Sequence, residues 1–279
     1  MAPPPPASMP LQQRLLQLAQ TLQFAWFAGH LTLLFCAIRY GMSYITFNFY
    51  TKWARFSYRT AFIAAAATYG IVVYKGYRAR MRQGKQGSPL MLIADENVQY
   101  LGMAIVWLFS RQIPLAILPF AVYSVFHVAT YTRSNLLPTI QPAPQSAPGS
   151  PPKAKGGLSD VIGKFVKDYY DMSMTIVAVL ELVLWFRILG SAILFQKGTW
   201  ILLVIYTAFA RARYSQSSFV QNTIHQLVAR ADAQIANQST PPAARNAWET
   251  LKGLVRQAHD ATDLGKYVGG APSGPKKAQ

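Results

Sequence analysis

Apolar residues along this chain gather into long blocks, and the prolines, lysines and arginines fall between the blocks and at the ends. Blocks of that length are the pattern of membrane-spanning helices. From Leu11 the spacing Leu11, Leu15, Leu18, Leu22 predicts a short amphipathic helix leading into a first block, Leu22 to Ile38, that stops at Arg39. Tyr40 to Trp53 is dense in aromatic residues, which suit the head-group layer of a bilayer. A second block, Phe56 to Tyr74, carries the small residues Ala64 to Ala67 and ends at a basic run from Lys75 to Lys85.

Val98 to Thr130 is too long for one span, since 33 residues of helix reach about 50 Å against a hydrocarbon core of about 30 Å. Arg111 and Pro114 near its middle predict a hairpin: a short arm from Val98 to Ser110, a turn at Arg111-Gln112, and a second arm from Ile113 to Thr130. Leu137 to Gly157 is rich in Pro, Ala, Ser and Gly and reads as a flexible linker between two membrane regions. A further apolar region, Met172 to Ala210, is interrupted by Arg187, Gly190, Gln196, Lys197 and Gly198, which predicts another hairpin with arms near 172–192 and 199–212.

Beyond Ala210 the chain is polar but keeps helical spacing. Val220, Ile224, Leu227, Ala231 and Ile235 share one face after the start signal Ser217-Ser218. Past Pro241-Pro242, a second helix sets Trp248, Leu251, Val255 and Ala258 on one side and Arg245, Lys252 and Arg256 on the other, the pattern of a helix lying in a membrane interface. The expected organisation is a lead (1–21), a first membrane region (22–136), a Pro-rich linker (137–157), a second membrane region (158–213), amphipathic helices (214–268) and a disordered tail (269–279). The fold class is all-α: a polytopic helical membrane protein of hydrophobic hairpins with a C-terminal cytosolic amphipathic region.

Composition agrees. Apolar residues are 52% of 279 and charged residues 13%, roughly half the share of a soluble domain. The formal charge of +17 is sorted: segments 75–97 and 131–171 hold five Lys or Arg each and the tail from Arg211 holds nine, whereas the opposite connections hold Lys52, Arg55, Arg111 and Lys197. By the positive-inside rule both termini and both long loops face the cytosol, and anionic lipid head groups are the expected partners of the basic segments. The N-terminus shows no cleavable signal pattern, so the first block is expected to serve as its own targeting segment.

Candidate chemistry is sparse. Cys36 stands alone in an apolar block, and His30, His127, His225 and His259 lack metal-ligand spacing, so no metal or other cofactor is expected. No phosphate loop, GxSxG or HExxH pattern occurs, which leaves an enzyme reading without support. Glu181 and Arg187 lie in or beside an apolar region but point to different helix faces; Glu181 reads first as a helix–helix contact and alternatively as the carboxylate of a lipid or ion transporter. Arg211, Arg213 and Tyr214 read as a stop-transfer cluster at the cytosolic interface. The leading expectation is a non-enzymatic membrane-shaping scaffold acting through hairpin wedges and the basic amphipathic tail; a transporter is the second reading, and an adaptor whose tail recruits soluble partners the third.

The stretch His127-Val128-Ala129-Thr130-Tyr131-Thr132 resembles the H-A-A-T-Y-T segment of the transmembrane protein 33 family, which includes the pore-membrane nucleoporins of that size class. Ala212-Arg213-Tyr214-Ser215 is similar to that family's L-R-Y-S segment, and Glu181 stands where the family carries an acidic residue. The segment order matches over residues 20–236. The resemblance implies a protein of the endoplasmic reticulum and nuclear envelope that associates with reticulon-type membrane shapers and with nuclear pore proteins, contributing to nuclear pore distribution or assembly; no direct nucleic-acid binding is expected, because the nearest anions to a basic membrane protein are lipid head groups. Family members are drawn with three or four spans; block lengths and charge here favour three hairpins.

Overall fold

The computed structural model describes residues 9–84, 92–141, 157–237 and 239–262; the start of the Pro-rich lead, Lys85, most of the 137–157 linker and the 269–279 tail lie outside them. Among the described residues all regular structure is helical: α1 (Leu11–Ala19), α2 (Leu22–Ile45), α3 (Lys52–Arg82), α4 (Glu96–Phe109), α5 (Ile117–Tyr131), α6 (Leu158–Ile193), α7 (Thr199–Gln216), α8 (Ser218–Ile235) and α9 (Pro242–Ala261). A 3₁₀ turn, Pro114–Ala116, leads into α5, and a π-helical turn, Thr132–Leu136, and a last turn, Leu137–Ile140, follow it. The chain divides into two compact units, Met1–Thr223 and Ile224–Gln279.

Four stretches are long and apolar enough to cross a membrane: Leu22–Ile45, Lys52–Arg82, Pro114–Ile140 and Leu158–Ile193. In the first unit they pack with α4 and α7 side by side: α2 on α3, α3 on α4, α2 on α5, α5 on α6, and α6 on α7, with Arg59 of α3 reaching the end of α4 and Tyr69 meeting Tyr100, so that α3 and α4 run antiparallel. The connections 46–51, 110–113 and 194–198 consequently lie together at one end of the bundle. The two short arms are α4, whose 14 residues reach about 21 Å, and α7. Helices from either side of the Pro-rich segment pack together, with Phe126 of α5 against Phe165 and Tyr170 of α6.

Several element ends differ from the pattern-based expectation. Arg39 does not end the first block: α2 runs on to Ile45, with the Arg39 guanidinium donating to Ser43 Oγ at 3.2 Å. Nor do Arg187 and Gly190 interrupt the later region, because α6 is continuous from Leu158 to Ile193. Its mixed-charge lead is helical too, since Lys164, Lys167, Asp168 and Asp171 extend the helix beyond the apolar part. An arginine near a helix C-terminus is favoured by the dipole and by its own hydroxyl acceptor, so it does not need to lie in a loop.

The same device closes α2 and α6. Phe47 and Phe195 each adopt a left-handed conformation, φ 57° and 52°, just past the helix end. Asn48 N–H donates to Ser43 C=O and Phe47 N–H to Tyr44 C=O, while Gln196 N–H donates to Ser191 C=O and Phe195 N–H to Ala192 C=O. Each set is a complete Schellman cap. Arg187 donates to Ser191 Oγ as Arg39 does to Ser43, and Thr51 and Thr199 hydroxyls donate to Asn48 and Gln196 carbonyls at 2.9 and 2.5 Å. Arg39, Ser43, Ile45, Phe47 and Thr51 therefore recur as Arg187, Ser191, Ile193, Phe195 and Thr199, an internal repeat of offset 148 in residue numbering. Both capping phenylalanines are exposed, at 78% and 82%, at the same end of the bundle.

The third turn is held differently. Tyr58 Oη accepts from Ile113 N–H at 3.1 Å, and Arg59 donates to the Trp107 and Leu108 carbonyls that α4 leaves open at its C-terminus. At the other end of the bundle α1 docks through Arg14, which donates to Thr139 C=O at 2.7 Å, and through Leu18 against Phe27 and Tyr131.

α2 and α3 touch where Gly29 faces Thr68: a Cβ on residue 29 would sit 2.5 Å from Thr68 Cγ2. Gly29→Val is expected to destabilise the protein by about 1–3 kcal/mol through overpacking. Gly41→Ala, with nothing within 4 Å of its Cβ, serves as the control. Melting of the detergent-solubilised protein, followed by helical circular dichroism, tests the pair.

Candidate functional site

The polar centre of the bundle is assembled by four helices at one depth. α4 contributes Glu96 and Tyr100 from its first two turns, α5 contributes Tyr123, α6 contributes Glu181 and α7 contributes Arg213. Asp95 caps α4, its carboxylate accepting from Asn97 N–H at 2.9 Å, and so fixes where Glu96 and Tyr100 enter the bundle. Arg213 is 4% exposed and Glu181 6%. Arg213 Nε lies 3.4 Å from Glu181 Oε2, and a terminal guanidinium nitrogen lies 2.5 Å from Glu96 Oε1.

The surrounding hydroxyls complete the shell. Tyr100 Oη donates to Glu181 Oε1 at 2.5 Å and lies 3.1 Å from Tyr123 Oη, which accepts from Arg213 at 3.2 Å. Tyr206 Oη donates to the Glu181 backbone carbonyl at 3.1 Å. The guanidinium carbon stands 5.2 Å from the Tyr100 ring centroid, and Tyr69 stacks on that ring at 5.3 Å. An arginine with its fork of donors spent on two carboxylates and a hydroxyl is the arrangement that makes a charge tolerable in hydrocarbon.

This corrects the reading of Arg213 as part of a stop-transfer cluster. The side chain turns inward because α7 packs between α4 and α6, where Glu96 and Glu181 offer it carboxylates; Tyr214 beside it stays half-buried. The other eight basic residues of the tail keep the charge bias. Glu181 and Arg187 do not meet: Arg187 turns to Ser191. Glu96, Tyr100, Tyr123 and Arg59 escape notice in the sequence. One signal was available for the central pair, since Glu181 and Arg213 are equally far from Lys197 and an antiparallel hairpin turning there sets them at one depth.

His127 comes from the segment that carries the family resemblance. Its ring meets Trp26 at 4.9 Å and His30 at 4.6 Å, centroid to centroid. His30, buried in α2, bonds through Nδ1 to Ser124 Oγ at 2.9 Å, while its Nε2 has no partner among the described residues. Two histidines distant in sequence thus become neighbours. Among the described residues no group of three metal-ligating side chains forms. Tyr131 stacks on Phe27 at 4.5 Å, and Thr130 is exposed.

In the tail, Val220 is buried in the first unit, and Leu227, Leu251 and Val255 are exposed. Ile224, Ile235 and Trp248 are half-buried, and Arg245 and Arg256 are exposed. Within the second unit Asp232 joins the two helices: it accepts from Trp248 Nε1 at 2.6 Å and from Lys252 at 2.8 Å. Trp248 therefore stands on the border between the apolar and basic faces, with the Lys252 ammonium 5.8 Å from its ring centroid. Hydrogen bonds from Lys252 and Trp248 hold the Asp232 carboxyl below its usual range, and the same carboxylate raises Lys252.

These features define the class of protein: a polytopic α-helical membrane protein whose spans are locked by a buried ion cluster. The chain belongs to the transmembrane protein 33/nucleoporin POM33 family, whose model matches residues 4–260. It is 55% identical to "Nucleoporin POM33" of Chaetomium thermophilum over the full length of both chains. It is 32% identical to "Tetra-spanning protein 1" of Schizosaccharomyces pombe, covering 88% of this chain and 87% of that one. To "Pore membrane protein of 33 kDa" of Saccharomyces cerevisiae it is 30% identical, covering 96% and 92%. No solved structure matches the chain.

Removing one partner of a buried pair strands the other. Arg213→Met is expected to cost about 3–5 kcal/mol by leaving Glu181 uncompensated, and the double variant Arg213→Met/Glu181→Gln to recover part of that loss. Melting temperatures in one detergent measure both; equal losses would overturn the coupling. For Asp232 the folded carboxyl titrates lower than the unfolded one. Its contribution is accordingly full above the unfolded value near 4 and lost as pH falls through the lowered one. Protection factors of the α9 amides, exchange rates corrected for the intrinsic pH dependence, are expected to be unchanged from pH 7 to 5 and to fall in Asp232→Asn.

Proposed function

We propose that this protein is a non-enzymatic membrane-shaping scaffold of the endoplasmic reticulum and nuclear envelope, with both termini in the cytosol. In that role it stabilises curved membrane and contributes to tubule organisation and nuclear pore distribution or assembly. The observation that carries the reading is the asymmetry of the bundle between its two ends. Among the described residues of the first unit, one end has only the short connections 46–51, 110–113 and 194–198, two of them tipped by exposed phenylalanines. The other end of the same unit carries α1, the turns after α5, the charged start of α6 and the basic end of α3 with Arg78, Arg80 and Arg82.

In the first unit, short arms such as α4 and short turns at one end, set against longer helices at the other, would displace unequal lipid area in the two leaflets. The aromatic turns suit the head-group layer of the far leaflet. The exposed Leu251, Leu254 and Val255 of α9, beside Arg245 and Arg256, suit insertion at an anionic cytosolic surface. Relatives named for the nuclear pore membrane support the location. Partners of the reticulon and nuclear pore classes belong to this reading. Glu181 argues against transport, because its carboxylate is committed to Tyr100 and Arg213.

Two measurements test it. Cysteines placed at Gln112 and Lys197, against the buried native Cys36, are expected to react with an impermeant maleimide only after the lumenal side is opened. Labelling of both in intact microsomes would overturn the orientation. Full-length protein reconstituted into liposomes containing phosphatidylserine is expected to narrow or tubulate them with rising protein-to-lipid ratio, as seen by electron cryomicroscopy; unchanged spheres at high loading would sink the shaping role.

A further inference from the structure

A cleft of about 240 Å³ opens between α2, α3 and the end of α5, and none of Glu96, Tyr100, Tyr123, Glu181 and Arg213 lines it. Trp26, Ile71 and Val72 form its apolar wall. His127, Thr130 and Tyr131, which belong to the segment that resembles the family motif, close one side. Gln23, Lys75 and Asn135 complete it with polar side chains.

The sequence positions fix the depth. Gln23 is in the first turn of α2, Lys75 lies late in α3 and Asn135 follows α5, so all three sit at the loop-bearing end of the spans, where lipid phosphates lie. The side chains of Gln23, Lys75 and Asn135 make no hydrogen bond or ion pair with any described residue. No acidic residue lines the cleft. An unpaired ammonium with two uncommitted amides, above an apolar wall, is a set of donors waiting for an anion attached to something apolar. The volume exceeds the roughly 150 Å³ that admits benzene and falls short of the roughly 300 Å³ of a small drug site. It fits a phosphate and the beginning of an acyl chain, with the remainder of the lipid in the bilayer.

We propose that this cleft binds one anionic phospholipid, holding the phosphate among Lys75, Gln23 and Asn135 and the first methylenes against Trp26, Ile71 and Val72. The motif segment His127 to Thr132 then serves as the wall of a lipid site. This assignment stands whether or not the protein bends membrane.

The test uses the full chain in a neutral detergent and native mass spectrometry. Dioleoyl phosphatidic acid is expected to be retained one per chain, with dioleoyl phosphatidylcholine retained at least tenfold more weakly. Lys75→Gln, an exposed position without a partner, is expected to weaken phosphatidic acid about tenfold, which corresponds to about 1.4 kcal/mol. Val72→Trp, filling the cleft, is expected to abolish retention; a melting measurement on each variant verifies folding, and Lys75→Gln suffices if the larger substitution unfolds the chain. Equal retention of the two lipids, unchanged binding in Lys75→Gln, or displacement of phosphatidic acid by an equal concentration of inorganic phosphate would each overturn the proposal.

Discussion

A charge cannot remain unpaired between membrane helices, and Arg213 is the residue on which this bundle turns. Its guanidinium meets Glu181 on one side and Glu96 on the other, so it ties α7 to both α6 and α4. Tyr100 and Tyr123 fill the remaining bonds, which brings α5 into the same knot. The gain over an apolar core is not the point, because desolvating the ions offsets much of their attraction. What the cluster supplies is register. Any slip of α7 by a turn would strand one buried ion, and the cost of that error far exceeds the cost of a misplaced leucine.

The opposite end of the bundle uses a second economy. The turns after α2 and α6 repeat one sequence of devices: an arginine bonded to a serine a turn on, a left-handed phenylalanine, and a threonine that returns its hydroxyl to the turn. Left-handed geometry is strained for a phenylalanine. Two Schellman caps hold it there, and both rings face outward where lipid head groups can receive them. The turn between α4 and α5 has no such cap, and Arg59 and Tyr58 from α3 close it from outside. The short α4 is therefore stapled to a long span at its far end and to the ion cluster at its near end.

Family membership and structure divide the explanation between them. Relatives carry nuclear pore and endoplasmic reticulum names, and the geometry of the first unit adds short turns gathered at one end of the spans and longer helical segments at the other. The stretch that carries the resemblance lines the cleft through His127, Thr130 and Tyr131, and its His127 also stacks on Tyr123 of the ion cluster.

Much was legible in the chain itself. Block length and the positions of Arg111, Pro114 and Lys197 gave the spans and the two later turns, because hydrocarbon thickness limits a helix and proline restarts one. Ser217-Ser218 and Pro241-Pro242 marked the tail helices for the same local reasons. Hydropathy breaks at Arg39 and Arg187, yet both lie inside helices, because each finds its acceptor in a serine four residues on, a local spacing present in the sequence but outweighed there by the charge. Local pattern could not tell that Arg213 faces inward, because its partners Glu96, Tyr100 and Tyr123 come from helices about a hundred residues away. Hydropathy and charge act along the chain and were readable there. Pairing of buried ions, the meeting of His30 with His127 and the cleft beside Lys75 exist only when helices distant in sequence reach the same depth, and tertiary packing alone decides that.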